Sequence, residues 1–433
     1  MTLTSAPARP TTAPPTRRDV AVDVARAWCL TVVVALHAVM VGVSVTGGHP
    51  VLENAMERWG GFGALTWVVQ VMPLFFLLGG FSGIQHWERA RGRGAGYGAH
   101  VAGRVRRLLV PAVAAVLATV AVLTALQLAG VGEELVATAG FRLSQPLWFL
   151  AVYLLCTVAL PPLVAAHRRH PVLTIGGLAA AVVAVDIVRS ATGVTAVGLL
   201  NLAFVWLLVQ QLGFVLASPR FAAWEARRTA ALAAGAFATL AVLCLCGVYS
   251  ADLYAALNPP AGALALLAVG QLALFALARP WLARAASARL IGRYVAALNR
   301  HAMTVYSWHM LVLVLTAGML LLVGGSALPH PLGEEWWLTR PLWLAAVAVG
   351  VALVARAAGR WETGGRGAAA ASGGRAASSG PRAFAAAAAG AGGVVLILVQ
   401  GSALAGWVGG ALLVLGALAL LRERPLPSTA PAR

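Results

Sequence analysis

Apolar residues in this chain run in blocks of about twenty, separated by short polar segments. Blocks of that length let a helix cross the ~30 Å hydrocarbon core of a bilayer. Ten of them, near 22–45, 64–84, 108–130, 147–166, 172–190, 195–217, 229–248, 261–278, 302–323 and 340–356, predict a core of ten transmembrane helices. A Gly/Ala/Ser/Arg stretch at 357–383 then breaks the pattern. It reads as low-complexity and disordered, because it offers too little apolar surface to offset the entropy of ordering it. A last apolar run, 392–421, is long enough for one tilted span. The expected fold is therefore an all-α polytopic transmembrane bundle of about ten spans plus one or two C-terminal apolar segments. Its parts are a disordered cytoplasmic tail (1–18), the membrane core (19–356), a basic linker (357–391) and a further transmembrane segment with its tail (392–433). The first apolar block is too long and too charged to be the core of a cleaved signal peptide.

Composition agrees. Of 433 residues, 60% are hydrophobic and 11% charged, against about a quarter charged in soluble domains. The net charge of +18 does not mark a nucleic-acid surface. All 32 basic residues are arginine, as codon usage in a GC-rich bacterial genome would produce. They also lie in alternate loops, as topology demands: Arg89 to Arg107, Arg168 and Arg169, Arg220 to Arg228, Arg279 to Arg300, and Arg356 to Arg382. The intervening loops hold most of the carboxylates, among them Glu53, Glu57, Glu133, Glu134, Asp252, Glu334 and Glu335. Positive loops stay inside, so the N-terminus is expected in the cytoplasm of a bacterium, with the protein multi-pass in its cytoplasmic membrane. Cys29, Cys156, Cys244 and Cys246 fall in apolar segments with no zinc-like spacing, and read as small buried thiols. No metal site is expected. No inverted repeat is visible, which weakens a transporter reading.

Against this background two ionisable residues in the first block stand out. Arg26 and His37 are eleven positions apart, so a helix places them on one face, ~16 Å apart along its axis. Ionisable groups at that depth are costly and tend to mark function. Of nine histidines only His37 and His309 lie well inside spans, and a neutral imidazole there suits a general base. The plainer reading of Arg26 is a side chain that snorkels to the headgroups and pairs with Asp23 three residues earlier. The plainer reading of Asp186 is a local pair with Arg189. Before the third block, Arg104, Arg106 and Arg107 gather where a helix begins, a suitable place to hold phosphates. In the second block, Pro73, Gly79 and Gly80 allow a kink and a close helix approach.

Together these pieces resemble the acyltransferase 3 family of membrane-bound O-acyltransferases, over roughly residues 18–356. The Asp23-x-x-Arg26 opening followed by His37 is similar to the family's first helix. Leu74-Phe75-Phe76 through Gly80-Phe81 is similar to its Phe-Phe segment, with Gly79-Gly80 where Ser-Gly is usual. Arg104 to Pro111 resembles its arginine-rich entry to helix 3. Leu147-Trp148-Phe149-Leu150 and Tyr306-Ser307-Trp308-His309 resemble its later signatures. The resemblance implies transfer of an acyl group, acetyl foremost, from cytoplasmic acyl-CoA to a hydroxyl of a carbohydrate, lipid-linked or cell-envelope acceptor. Acyl-CoA is then a cosubstrate and no cofactor stays bound. Carried over, His37 is the catalytic histidine, with Arg26 and His309 as further candidate catalytic residues, and Arg26, Arg104, Arg106 and Arg107, together with Asp23, engage the donor. Two alternatives stay open: a transmembrane N-acetyltransferase acting on amino sugars, and a transporter or flippase using Arg26 and His37 as an ion relay.

Overall fold

The computed structural model describes residues 19–371 and 380–422, the side chains of 360–371 excepted. These residues form sixteen helices and one β-hairpin. The order is α1 (Val20–Met40), β1 (Val41–Thr46), β2 (His49–Asn54), α2 (Phe62–Val69), α3 (Met72–Gly92), α4 (Tyr97–Leu128), α5 (Glu133–Ser144), α6 (Trp148–Arg169), α7 (Pro171–Thr192) and α8 (Asn201–Leu216). There follow α9 (Pro219–Ala222), α10 (Ala226–Leu245), α11 (Gly262–Ala285), α12 (Arg289–Arg300), α13 (Ala302–Gly324), α14 (Glu334–Ala371), α15 (Gly380–Gln400) and α16 (Leu404–Leu420). Eleven helical segments among the described residues are long and apolar enough to cross a membrane. The protein is a polytopic helical bundle, as the apolar blocks predict.

The structure departs from the sequence reading in four places. α1 stops at Met40, and the next residues, read as part of a span reaching 45, form β1 and β2. Thr46 pairs with His49 across Gly47 and Gly48, whose φ values of 59° and 81° need glycine, the geometry of a type I′ hairpin turn. α4 begins at Tyr97, so Arg104, Arg106 and Arg107 lie inside the helix and not at its start, and Pro111 is internal. α14 remains helical to Ala371 and α15 begins at Gly380, both within the stretch assigned to the linker. The run 392–421 is not one tilted span but the second half of α15 and all of α16, folded back through a turn at 401–403. In addition, Cys246 lies just past the end of α10 and is exposed.

Two interior features position the site. The second span is broken: α2 ends at Val69, and α3 restarts at Met72 with Pro73 in its first turn, where its missing N–H costs nothing. Buried Gln70 holds the break together. Its side chain donates to the Leu253 carbonyl (3.2 Å), and its own carbonyl accepts from Gln271 (2.8 Å). Non-helical backbone at this depth survives only where protein or a cavity surrounds it. Two turns into α3, Gly80 meets Gly213 of α8 backbone to backbone. A Cβ on Gly213 would sit 2.2 Å from the Leu77 carbonyl oxygen, so the close approach that Gly80 allows is realised here. The α15–α16 pair packs on α4, α5 and α6. Phe384 lies edge-on to Tyr97, and Gly390 abuts Leu109.

Candidate active site

His37 occupies the last turn of α1 and His309 the second turn of α13, and the structure brings them together. His37 Nδ1 is 2.9 Å from His309 Nε2, with the two rings nearly parallel. His309 Nδ1 is 2.7 Å from the Tyr306 carbonyl oxygen. A carbonyl only accepts, so His309 Nδ1 carries the proton and, in the neutral ring, Nε2 offers a lone pair. His37 Nδ1 must then be the donor to it. His37 Nε2 is left as an acceptor, and among the described residues no group bonds to it. Tyr306 is itself fixed, its hydroxyl donating to the Pro146 carbonyl (2.7 Å).

His37 lines a cavity of about 180 Å³ at the hairpin end of the bundle. Leu30, Val33 and His37 mark one stripe of α1 on its wall, and Arg26 continues that stripe one turn below its floor. The broken backbone at Val69–Met72 forms a second wall, and Phe75, Trp148 and Phe149 close the base. Gln145, Tyr254 and Asn258 also line the cavity, and their side chains make no hydrogen bond to the described residues. Burial, with Glu57 nearby, raises the Tyr254 hydroxyl above the usual tyrosine range, so it remains a donor. The loop carrying Tyr254 and Asn258 is anchored by Asp186. That carboxylate accepts from Tyr249 (2.8 Å), the Gly262 amide (2.7 Å) and Asn201 (3.0 Å), with Arg189 3.8 Å away. Asp186 is therefore a hub between elements, where sequence spacing suggested only a local pair. Burial and the Asp186 bond push the Tyr249 hydroxyl up.

The arginines sit at the opposite end of the bundle. Arg104 lines a second pocket, of about 20 Å³, with Gly79, His100, Tyr153, Thr157 and Gln210. Arg26 lies within electrostatic range of it. Arg26 makes no ion pair with Asp23 or any other described carboxylate, and its buried Nε has no hydrogen-bond partner. His100 Nδ1 and Gln210 Oε1 are orphaned in the same way. Arg106 and Arg107 are exposed on the outside of α4 and are not brought to this pocket. Between the two cavities Phe76, Trp148, Phe149, Tyr153 and Trp206 form a contiguous ring cluster, with Phe76 and Trp206 centroids 4.5 Å apart. Among the described residues no three His, Cys, Asp or Glu side chains come together as a metal cage would require.

Sequence reasoning missed Gln70, Gln145, Tyr254 and Asn258. Gln70 left a signal, an amide inside an apolar block three residues before a proline. The other three sit in loops or at a helix boundary, where one polar residue looks like any other.

An acyltransferase domain family profile matches residues 19–357. No curated protein and no solved structure matches the chain.

Proposed function

The chain belongs to the acyltransferase 3 family and is a multi-pass membrane acyltransferase, and from that premise we propose that His37 is its general base. The observation that carries this reading is the hydrogen bond from His37 to His309 on the cavity wall. It leaves His37 Nε2 unprotonated and facing the space where an acceptor would lie. His37 takes the proton of the acceptor hydroxyl as that oxygen attacks the thioester carbonyl. The carbon–sulfur bond breaks, and the departing thiolate of CoA recovers the proton from Nε2. While His37 carries both protons, its Nδ1–H bond to His309 becomes charge-assisted and strengthens. His309, held by the Tyr306 carbonyl, is a positioning residue that fixes the tautomer.

The donor is acyl-CoA, with acetyl the simplest acyl group, and it enters at the arginine end. Three orphaned polar atoms support a ligand there: Arg26 Nε, His100 Nδ1 and Gln210 Oε1. Each costs about 1–3 kcal/mol while buried and unsatisfied. Arg104, with Arg106 and Arg107 outside it, supplies cations for the phosphates, and the thioester arm reaches His37 past the ring cluster. The acceptor enters at the hairpin end, with Gln145, Asn258 and Tyr254 taking its polar groups. Because basic loops remain inside, the arginine end, and the N-terminus with it, faces the cytoplasm of a bacterial cell, and the hairpin end faces the envelope. The test is acetyl-CoA turnover by purified protein, alone and with hydroxyl-bearing and amine-bearing sugars. Acetyl transfer that is lost in His37→Ala is the expected result, whereas turnover undiminished by that substitution defeats the assignment.

A further inference from the structure

Taking acyl transfer as the activity, we propose that the acceptor is a membrane lipid with an anionic headgroup, held in a groove between α13 and α14 with its phosphate on Arg340. The groove has a volume of about 420 Å³ and is lined mainly by aliphatic side chains at the hairpin end of these helices. Val323 and Leu342 on its walls are 83% and 76% exposed, which in a membrane-spanning helix means open to lipid. Such a surface suits an acyl or isoprenoid chain and excludes a free sugar.

At its head lies one cation. Arg340 is only 8% exposed. Its guanidinium lies 4.2 Å over the Trp336 ring and 5.4 Å from the Trp343 ring. Its hydrogen bonds go to carbonyl oxygens, from Nε to Trp336 (3.2 Å) and from Nη1 to Val41 (3.4 Å). Among the described residues no carboxylate pairs with it. A buried arginine without an anion is costly, and two indole faces and two carbonyls leave its net charge uncompensated. A headgroup phosphate would supply the missing charge in the bidentate form that guanidinium favours.

The position ties the groove to the chemistry. Trp343 Nε1 donates to the Ala38 carbonyl (2.8 Å), and Arg340 reaches the Val41 carbonyl. These are the first and fourth residues after His37, so the head of the groove lies ~6 Å beyond the base along the α1 axis. A lipid anchored there has its headgroup about one helical turn from the level of His37 along that axis.

The test uses full-length protein in nanodiscs of phosphatidylcholine with a minority of phosphatidylglycerol, and native mass spectrometry of the lipids retained on extraction. Wild type should retain phosphatidylglycerol preferentially. Arg340→Gln should lose that preference roughly tenfold, the scale of one charge-assisted hydrogen bond, and Arg340→Lys should keep part of it. Val323→Trp, at the exposed rim, obstructs the chain without touching the core and should lower retention of phosphatidylglycerol while the protein stays folded by thermal denaturation. Equal retention in wild type, Arg340→Gln and Val323→Trp would overturn the site. So would competition by glycerol 3-phosphate at the same concentration, since the chain would then be irrelevant. Retention is measured without donor, so its failure would leave acyl transfer standing. A wild type unable to turn over acetyl-CoA would count against the transfer reading while the lipid site stood.

Discussion

The two cavities lie in one bundle and share neighbouring residues, Phe75 with Phe76 and Phe149 with Tyr153, yet they are built for different states. The His37 cavity is open, with about 180 Å³ already empty and polar side chains in its lining. The Arg104 pocket holds about 20 Å³, room for about one water, and keeps polar atoms unsatisfied around it. A cavity that exists before its ligand loses little on binding. A pocket that must open has to displace packed rings first, and recovers that loss through the orphaned groups it satisfies. On the proposed assignment the acceptor side is preformed, and the donor side would have to open to admit acyl-CoA. In that reading the arrangement would keep a thioester from water until the donor had parted Phe76, Trp148 and Tyr153.

The sharpest test removes the group on which the difference depends. His37→Ala should lower transfer about 10²–10⁴-fold with little change in melting temperature, because a cavity-lining side chain on α1 carries little packing. Transfer should also fall as pH drops, since imidazolium has no lone pair to accept with.

Next in size is the donor side. Arg104→Ala should raise KM for acyl-CoA about 10–100-fold, the value of one or two charge-assisted bonds to phosphate, and leave KM for the acceptor unchanged. Arg106→Ala, on the outside of α4, should do much less. Equal effects would mean that the pocket geometry does not select the donor arginine and that the three act only as a diffuse positive field.

How far the sequence carried these features follows from what each depends on. Ten spans, the pairing of Arg26 and His37 on one stripe, and the close approach at Gly80 were legible, because helix periodicity and apolar length act within one segment. The meeting of His37 with His309, 272 positions apart, was not legible, since it depends on how α1 and α13 dock. Nor was the division of Arg104 from Arg106 and Arg107, which required knowing that α4 starts at Tyr97 and so turns Arg106 outward. The hairpin did leave a signal: Val41, Val43 and Val45 alternate with small or polar residues before Gly47-Gly48. It was masked by the apolar run before it. The α15–α16 pair lies beyond the family match, and its alanines and glycines carry little apolar signal of their own. They become core only against Leu109 and Tyr97.

His309 separates positioning from chemistry. His309→Ala removes the acceptor that holds the His37 tautomer and should lower turnover about tenfold, the scale of a single hydrogen bond made stronger by charge. His309→Gln, whose amide oxygen can accept from His37 Nδ1, should recover part of it. The acid limb of the pH profile should move in both variants, because the neighbour that shares the charge of protonated His37 is gone. Loss of rate with an unmoved pH profile would mean that His309 serves packing alone.

The smallest expected effect probes the preformed side. Tyr254 lines the cavity, and burial with Glu57 nearby holds its hydroxyl proton above the ordinary tyrosine range. Tyr254→Phe removes one neutral hydrogen bond, worth about 0.5–1.5 kcal/mol, so KM for the acceptor should rise about 2–10-fold with kcat and donor KM unchanged. The raised pKa gives this a second signature. A phenol that titrated in its ordinary range would stop donating near pH 10, and acceptor KM would climb there; with the proton held more tightly, that climb in wild type should set in at a higher pH. If Tyr254→Phe instead raises KM for acyl-CoA, the donor reaches across the ring cluster into this cavity, and the division of the bundle into an acceptor half and a donor half fails at the point where it is most easily measured.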